Sequence, residues 1–153
     1  MAAVGDAARQ VFPAHGSGIG AGLVAASVLA DSLADGSGVA GYNQRWQRQH
    51  GGILAAYDLF RRHSQGLAEG ELDQMMAAGL LDQESVLAAM EQRLPAPDPL
   101  MLLAKVRGLR MAPRAVAKML PVLVRMAAVL TLYSRYPDGV DAQRRWAKRV
   151  ARV

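Results

Sequence analysis

A glycine-rich segment near the amino terminus is the first place where residue types and spacing could support chemistry. Gly16-Ser17-Gly18-Ile19-Gly20-Ala21 fits the pattern G-x-G-x-x-[G/A] of dinucleotide-binding turns. Such a turn needs a buried strand directly before its first glycine, and Phe12-Pro13-Ala14-His15 stands there instead. The pattern also expects an acidic residue at the end of a second strand, whereas Asp35 lies in a glycine-rich turn. The context therefore argues against a first-strand nucleotide site.

Glycines at the start of a helix still favour one of two structural roles. Free amide groups and the positive end of the helix dipole can point at a bound anion or polar ligand, and glycine lets that ligand come close. The same small residues also allow tight packing of the helix against a neighbour. Both interpretations of residues 16–22 remain open from these residues alone.

The residues before the glycine-rich segment add a more specific pattern. Val4-Gly5-Asp6-Ala7-Ala8, then Pro13, then Gly16-x-Gly18-Ile19 resembles the second FAD motif of the geranylgeranyl reductase and aromatic hydroxylase superfamily. The resemblance implies that the Asp6 carboxylate accepts hydrogen bonds from the ribityl chain. It also implies a flavin-facing turn at Pro13 and Gly16 to Gly18. The cofactor-binding residues implied in this way are Gly5, Asp6, Pro13, Gly16, Ser17, Gly18 and Ile19.

Two further segments look like that family, though with less specific motifs. They are the aromatic and basic stretch 42–48 and the stretch 132–137. The resemblance implies a mainly α chain, the helical carboxy-terminal portion of an FAD/NAD(P)-binding, glutathione-reductase-like fold that lacks the amino-terminal Rossmann unit. On this hypothesis the chain is a fragment of an FAD-dependent oxidoreductase.

The implied function is reduction of an isoprenoid or other lipid-soluble substrate, with FAD in an incomplete site and NAD(P)H as a possible electron donor. We expect the chain to need the missing amino-terminal FAD-binding part, or a partner subunit that supplies it, and not to be competent alone. No catalytic residue is assigned. The alternative is a non-enzymatic helical interaction module with a basic tail that binds a membrane surface or a partner.

Few other residues suggest chemistry. His15 lies in the proposed flavin turn and could donate a hydrogen bond near the ring, or it is a loop histidine without a role. His50 and His63 have no carboxylate that completes a ligand set, so we predict ordinary helix residues and no metal site. The absence of cysteine excludes disulfides and a cysteine nucleophile.

The elements that must position these residues are all predicted to be helices, since apolar residues recur at helical spacing and no stretch alternates with period two. Met1–Val4 is at most the end of a strand. The apolar stripe of the first helix is Ile19, Leu23, Ala26 and Ala30. That of the longest helix is Val116, Met119, Leu120, Leu123, Met126, Leu130 and Tyr133. The predicted helices cover 18–34, 39–64 with a weak point at 51–52, 69–78, 81–94 with a cap at Asp82, 100–110, 113–135 and 140–151.

Composition divides the chain at a proline-rich connector. We predict four segments: 1–38 with the FAD-contact motif, a helical 39–94, a connector 95–99 and a basic helical tail 100–153. Residues 1–97 carry six Lys/Arg and ten Asp/Glu, whereas residues 98–153 carry twelve and three. The basic tail could meet anionic lipid, an acidic protein face or, less favourably, nucleic acid, or it is simply a solvated helix.

The expected location is cytoplasmic, with possible peripheral attachment at the inner membrane face. The apolar stretch 19–30 has twelve residues, too few to span a bilayer, and we predict no transmembrane segment. Its glycines and the balanced charges before it also argue against a signal peptide.

Overall fold

The structure is a computed structural model that describes residues 1–95 and 112–153, and in this part the chain is mainly helical. A short 3₁₀ turn, Gly5–Ala8, comes first, and a π-helical turn, Gln47–Gly51, joins α2 to α3. The α-helices are α1 Ile19–Ala34, α2 Gly38–Trp46, α3 Gly52–Gln65, α4 Glu71–Ala77, α5 Gln83–Met90, α6 Pro113–Ser134 and α7 Val140–Val150. The predicted helix 100–110 and most of the connector 95–99 lie outside the described residues.

Strand structure in the described ranges is limited to one isolated antiparallel bridge between Phe12 and Ser17. Met1–Val4 therefore does not end a strand here. A lone bridge cannot form a sheet, so the packing of this part rests on helix faces. The prediction of a mainly helical chain is confirmed.

The first core lies between α1 and α2, and it corrects the predicted apolar stripe of α1. Ala21 and Ala25 are buried against Tyr42 and Trp46, whereas Ile19 is 82 % exposed. The large aromatic rings need small partners at a close helix crossing, so the alanine face turns inward. The other members of the predicted stripe also lie outward: Leu23, Ala26 and Ala30.

The predicted weak point at Gly51 and Gly52 is the place where the π-helical turn ends and α3 begins, and here α3 packs against α6. A β-carbon added at Gly52 would lie 3.1 Å from Cβ of Tyr133 and 3.5 Å from Cα of Leu130. The two glycines therefore permit an approach of helix backbones that larger residues would prevent. This contact joins the described range 1–95 to the described range 112–153.

A second core forms where α6 meets α4, and it corrects the stripe predicted for α6. Ala115 and Met119 are buried with Met75, and Phe60 of α3 packs at their edge. Leu120 and Leu123, which the stripe included, are instead 58 % and 50 % exposed. The predicted apolar stripe of α6 is wider than its buried face, because α6 contacts its neighbours along a narrower face.

Helix α6 also bears on the prediction that no segment could span a membrane. Its 22 residues have a mean hydropathy of 1.8 in the most apolar window, which is long and apolar enough to cross a bilayer. The prediction of no transmembrane segment rests on the stretch 19–30, which is shorter than α6. Pro121 lies inside the helix and does not end it.

Helix ends follow the predicted capping chemistry in the middle of the chain. The Asp82 carboxylate accepts a hydrogen bond from Ser85 N at 2.8 Å, so α5 begins where the cap was predicted. The helix ends at Met90, earlier than the predicted Leu94, because Gln92 takes a left-handed conformation with φ 57°.

Candidate functional site

The loop before α1 is closed by its own hydrogen bonds. Gly5 N donates to Gln10 Oε1 at 2.7 Å, and Gln10 N donates to Gly5 O at 3.0 Å. Gly5 has a φ of +68°, a left-handed conformation in which glycine is free of steric cost. Asp6 therefore lies on a turn with a defined shape.

This loop is anchored to α2 by a buried polar chain. Gln10 is 4 % exposed, and its Nε2 donates to the Tyr42 hydroxyl at 2.7 Å. The same hydroxyl donates to Ala3 O at 3.3 Å. Buried polar groups that are fully paired hold one geometry, because any displacement would leave them unsatisfied.

A second turn, from Phe12 to Ser17, continues the loop into α1. Phe12 N donates to Ser17 O and Gly16 N donates to Phe12 O, both at 2.9 Å. The Phe12 side chain is fully buried, with its ring centroid 4.7 Å from that of Tyr57. Pro13 and Gly16, with φ +71°, form the corners of this turn.

The two turns converge on the amino terminus of α1. A β-carbon added at Gly18 would collide with Asp6 Oδ1, so a larger residue there would require this exposed carboxylate to move. One turn further on, a β-carbon at Gly22 would lie 3.4 Å from Cα of Gly5. Asp6 is exposed, and the described residues donate no hydrogen bond to its carboxylate.

This arrangement brings acceptor and donor groups to one exposed place. The first backbone hydrogen bond of the helix runs from Gly22 N to Gly18 O. The N–H groups of residues 18–21 therefore have no acceptor within the helix. These amides can donate, while the nearby Asp6 carboxylate can accept. A neutral ligand with both hydroxyl and carbonyl groups suits this pair better than a simple anion, which the carboxylate would repel.

The seven predicted site residues thus lie in one continuous loop and the first residue of α1. The structure brings Asp6 and Gly18 together, and Ser17 pairs with Phe12. Pro13 belongs to the same turn but lies at its far corner. Sequence reasoning missed Gln10 and Tyr42, because a bond across 32 positions leaves no local pattern.

The histidines contribute little to this place. His15 is exposed in the turn, with its ring 5.1 Å from that of Phe12. His50 stacks on Trp46 at 4.8 Å, and burial lowers its pKa. His63 Nε2 is buried and has no hydrogen-bond partner among the described residues. Residues 1–95 and 112–153 include no group of histidine and carboxylate side chains that could hold a metal ion.

Two curated proteins are similar to this chain. The digeranylgeranylglycerophospholipid reductase of Sulfolobus acidocaldarius is 26 % identical over 161 residues, which covers 98 % of this chain and 35 % of that protein. The digeranylgeranylglycerophospholipid reductase 2 of Methanothermobacter thermautotrophicus is 37 % identical over 81 residues, covering 48 % of this chain and 21 % of that protein. No protein-family model and no solved structure matches the chain.

These matches are weak but agree on one family. They support a geranylgeranyl reductase-like relationship, as the pattern at Gly5-Asp6 implied. The chain spans about a third or less of the length of these relatives.

Proposed function

We propose that this chain provides the flavin-contacting turn and helical portion of an FAD-dependent reductase that acts on an isoprenoid lipid. The observation that carries the proposal is the convergence of Asp6 and Gly18 at the start of α1. The similarity to two proteins named as digeranylgeranylglycerophospholipid reductases supports the same class of substrate.

The exposed groups of the loop fit the middle of an FAD molecule. The Asp6 carboxylate would accept hydrogen bonds from ribityl hydroxyls, and Gly18 leaves the space that this carboxylate occupies. The amides of Gly18 and Ile19 would donate to a flavin carbonyl. Gly5, Pro13, Gly16 and Ser17 would hold the backbone of the two turns in shape.

The helix start would also influence the chemistry of the bound group. When bound, FAD supplies the hydride chemistry that reduction of a carbon–carbon double bond requires. The amino terminus of α1 carries a partial positive charge, which favours negative charge nearby by about 0.3–2 kcal/mol. The residues of this chain would thereby position the ring and stabilise its reduced form.

This chain is not proposed to supply the other parts of the reaction. An amino-terminal FAD-binding part, in the same polypeptide or in a partner subunit, would hold the ADP half of the cofactor. NAD(P)H is the proposed electron donor, and the proposed location is cytoplasmic, at the inner face of the membrane. The chain alone is then expected to be inactive.

A chimaera tests this proposal. The chain replaces the matched region of the Sulfolobus acidocaldarius relative, and the FAD retained after purification is measured by its absorbance. We expect the chimaera to retain FAD and Asp6→Asn to lose at least about tenfold in affinity, because a carboxylate hydrogen bond to a ligand is stronger than a neutral one.

Asp31→Asn is the matched control, since Asp31 is an exposed aspartate on α1 more than three turns away from Gly18. This variant is expected to retain FAD as the unsubstituted chimaera does. Equal FAD affinity in the Asp6→Asn and Asp31→Asn chimaeras would show that the assignment of Asp6 is wrong.

A further inference from the structure

The carboxy-terminal helices present a surface that the proposed flavin turn does not use. Trp146 Nε1 of α7 donates to Leu132 O of α6 at 2.9 Å, and Arg125 Nε of α6 donates to Val153 O. Val153, just beyond the end of α7, lies seven residues after Trp146, whereas Arg125 lies seven residues before Leu132. The two helices therefore lie antiparallel, side by side.

On α6, the side turned away from α3 is apolar and open to solvent. Leu120 is 58 % exposed and Val124 is 61 % exposed, one helical turn apart. Ala117 continues the same stripe towards the start of the helix and is also exposed. The contacts of α6 with α3 and α4 use the opposite side, through Met119 and Tyr133.

On α7, the cations project to the same side of the molecule. The helix faces α6 through Trp146, so Arg145 and Arg149 lie on one flank at about 3.6 residues per turn. Arg152 follows the helix end in a turn, where its N donates to Arg149 O at 3.1 Å. α7 lies against Leu132 and Arg125 of α6, and both helices are right-handed. In an antiparallel pair this position turns the flank of Arg145 and Arg149 to the same side as Leu120 and Val124. We call Leu120, Val124, Arg145, Arg149 and Arg152 together the outer surface.

The charge of the outer surface is not neutralised locally. Asp141 of α7 pairs with Arg144 at 3.7 Å. Arg145, Arg149 and Arg152 are exposed and have no carboxylate within ion-pair distance among the described residues. An apolar stripe with uncompensated arginines along one edge matches the two layers of an anionic membrane surface.

We propose that the outer surface binds an anionic lipid bilayer as a peripheral contact. Leu120 and Val124 enter the boundary between headgroups and acyl chains, and the three arginines lie at the level of the phosphates. This proposal does not rest on the flavin assignment, because it uses none of the residues of the loop before α1.

Two alternatives fit the contacts less well. Binding of single-stranded nucleic acid uses aromatic side chains for base stacking, but Trp146 packs edge-on against Tyr133 and Tyr136. A membrane-spanning α6 would have to leave α3 and α4, although Met119 and Tyr133 are packed against them. A peripheral contact keeps all of these interactions.

The test is co-sedimentation of the full chain with vesicles. Phosphatidylcholine vesicles with added phosphatidylglycerol are compared with phosphatidylcholine alone, at low and high salt. We expect binding only with phosphatidylglycerol, and weaker binding at high salt. Arg145→Gln with Arg149→Gln is expected to weaken binding about fivefold for each cation, roughly thirtyfold together.

The apolar part has a matched pair of variants. Leu120→Gln with Val124→Gln removes one leucine and one valine from the outer surface and is expected to weaken binding about tenfold. Val86→Gln with Leu87→Gln removes the same residue types from α5, where they are 45 % and 41 % exposed, and should leave binding unchanged. Arg9→Gln with Arg62→Gln controls for the loss of two charges.

Three results would overturn the proposal. The first is no binding to phosphatidylglycerol vesicles by a chain whose circular dichroism is helical. The second is equal binding by the outer-surface variants and their controls. The third is binding that resists alkaline carbonate, which would indicate that α6 spans the bilayer. Salt-sensitive binding of duplex DNA without vesicle binding would favour a nucleic-acid surface instead.

Discussion

Close contact between Asp6 and Gly18 shows how a single residue choice shapes the candidate site. The carboxylate occupies the space where any side chain at Gly18 would begin. Gly16 and Gly5 have positive φ, so they serve the turns, whereas Gly18 serves the approach of a neighbouring group. The glycines of one motif therefore have different physical roles.

A substitution at Gly18 tests this distinction. Gly18→Ala should displace the Asp6 carboxylate and reduce FAD retention by the chimaera as strongly as Asp6→Asn does. Stability should change by less than about 0.5 kcal/mol, because the displaced side chain is exposed. Gly20→Ala is the control, since its β-carbon would meet only the end of the Gln92 side chain at 3.4 Å. If the Gly18→Ala chimaera retained as much FAD as the control, Gly18 would not be needed to make room for the Asp6 carboxylate.

At the residue scale we also predict a pH dependence that arises from His50. Burial against Trp46 lowers the pKa of His50, so the folded chain binds a proton less readily than the unfolded chain. The free energy of unfolding should therefore fall as the pH drops below the ordinary histidine pKa of about 6.5. Urea unfolding at about pH 8 and about pH 5 measures the loss. His50→Gln should make this loss of unfolding free energy smaller. An unchanged loss in the variant would contradict the prediction.

Helix packing depends on which face of each element is small. In α1, Ala21 and Ala25 accept the rings of α2, and larger residues such as Leu23 remain outside. In the turn between α2 and α3, Gly51 and Gly52 admit α6. Small residues at crossings therefore decide how these helices pack, more than the most hydrophobic stripes do.

Gly51→Ala tests this at the scale of elements. An alanine in a helix normally stabilises by up to about 1 kcal/mol relative to glycine. Here its β-carbon would lie 2.7 Å from the Tyr133 ring, which Trp146 holds edge-on, so we expect a loss of about 1–3 kcal/mol. Thermal or urea unfolding gives the value.

The comparison for that variant is Gly66→Ala at the end of α3. Gly66 has a φ of −93°, and its β-carbon would have no neighbour closer than His63 O at 3.5 Å. This variant should be neutral or slightly stabilising. A gain of stability in both variants would mean that α3 and α6 are not in close contact at Gly51.

For the whole molecule, Tyr136 is the residue that ties distant parts of the chain together. It is buried, its hydroxyl accepts from Asn43 Nδ2 at 2.8 Å, and its carbonyl accepts from Arg48 Nη2 at 2.8 Å. Its ring also packs against Trp146 at 4.8 Å. It therefore couples α2 to the segment that begins α7.

Two substitutions of Tyr136 separate packing from hydrogen bonding. Tyr136→Phe should destabilise by about 1 kcal/mol, because Asn43 loses an acceptor. Tyr136→Ala should cost about 3 kcal/mol or more, because a buried ring is removed. Urea unfolding followed by circular dichroism measures both. Equal effects of the two variants would mean that the ring contributes little, contrary to its burial.

The sequence by itself determined the helical class, most helix bounds and the order of residues in the loop before α1. Those features depend on local chemistry: glycine and proline at turns, an aspartate cap at Asp82, and apolar residues at helical spacing. The resemblance of the Gly-Asp pattern was also local, and the similarity to two reductases agrees with it.

Only the tertiary structure decided which helix faces are buried and which groups meet. The bond from Gln10 to Tyr42 and the contact of Tyr136 with Asn43 join residues far apart in the chain, so no local spacing could predict them. The exposure of Ile19 and Leu120 likewise follows from the shapes of neighbouring elements. Hydrophobicity indicates that a residue can be buried, but complementary packing decides whether it is.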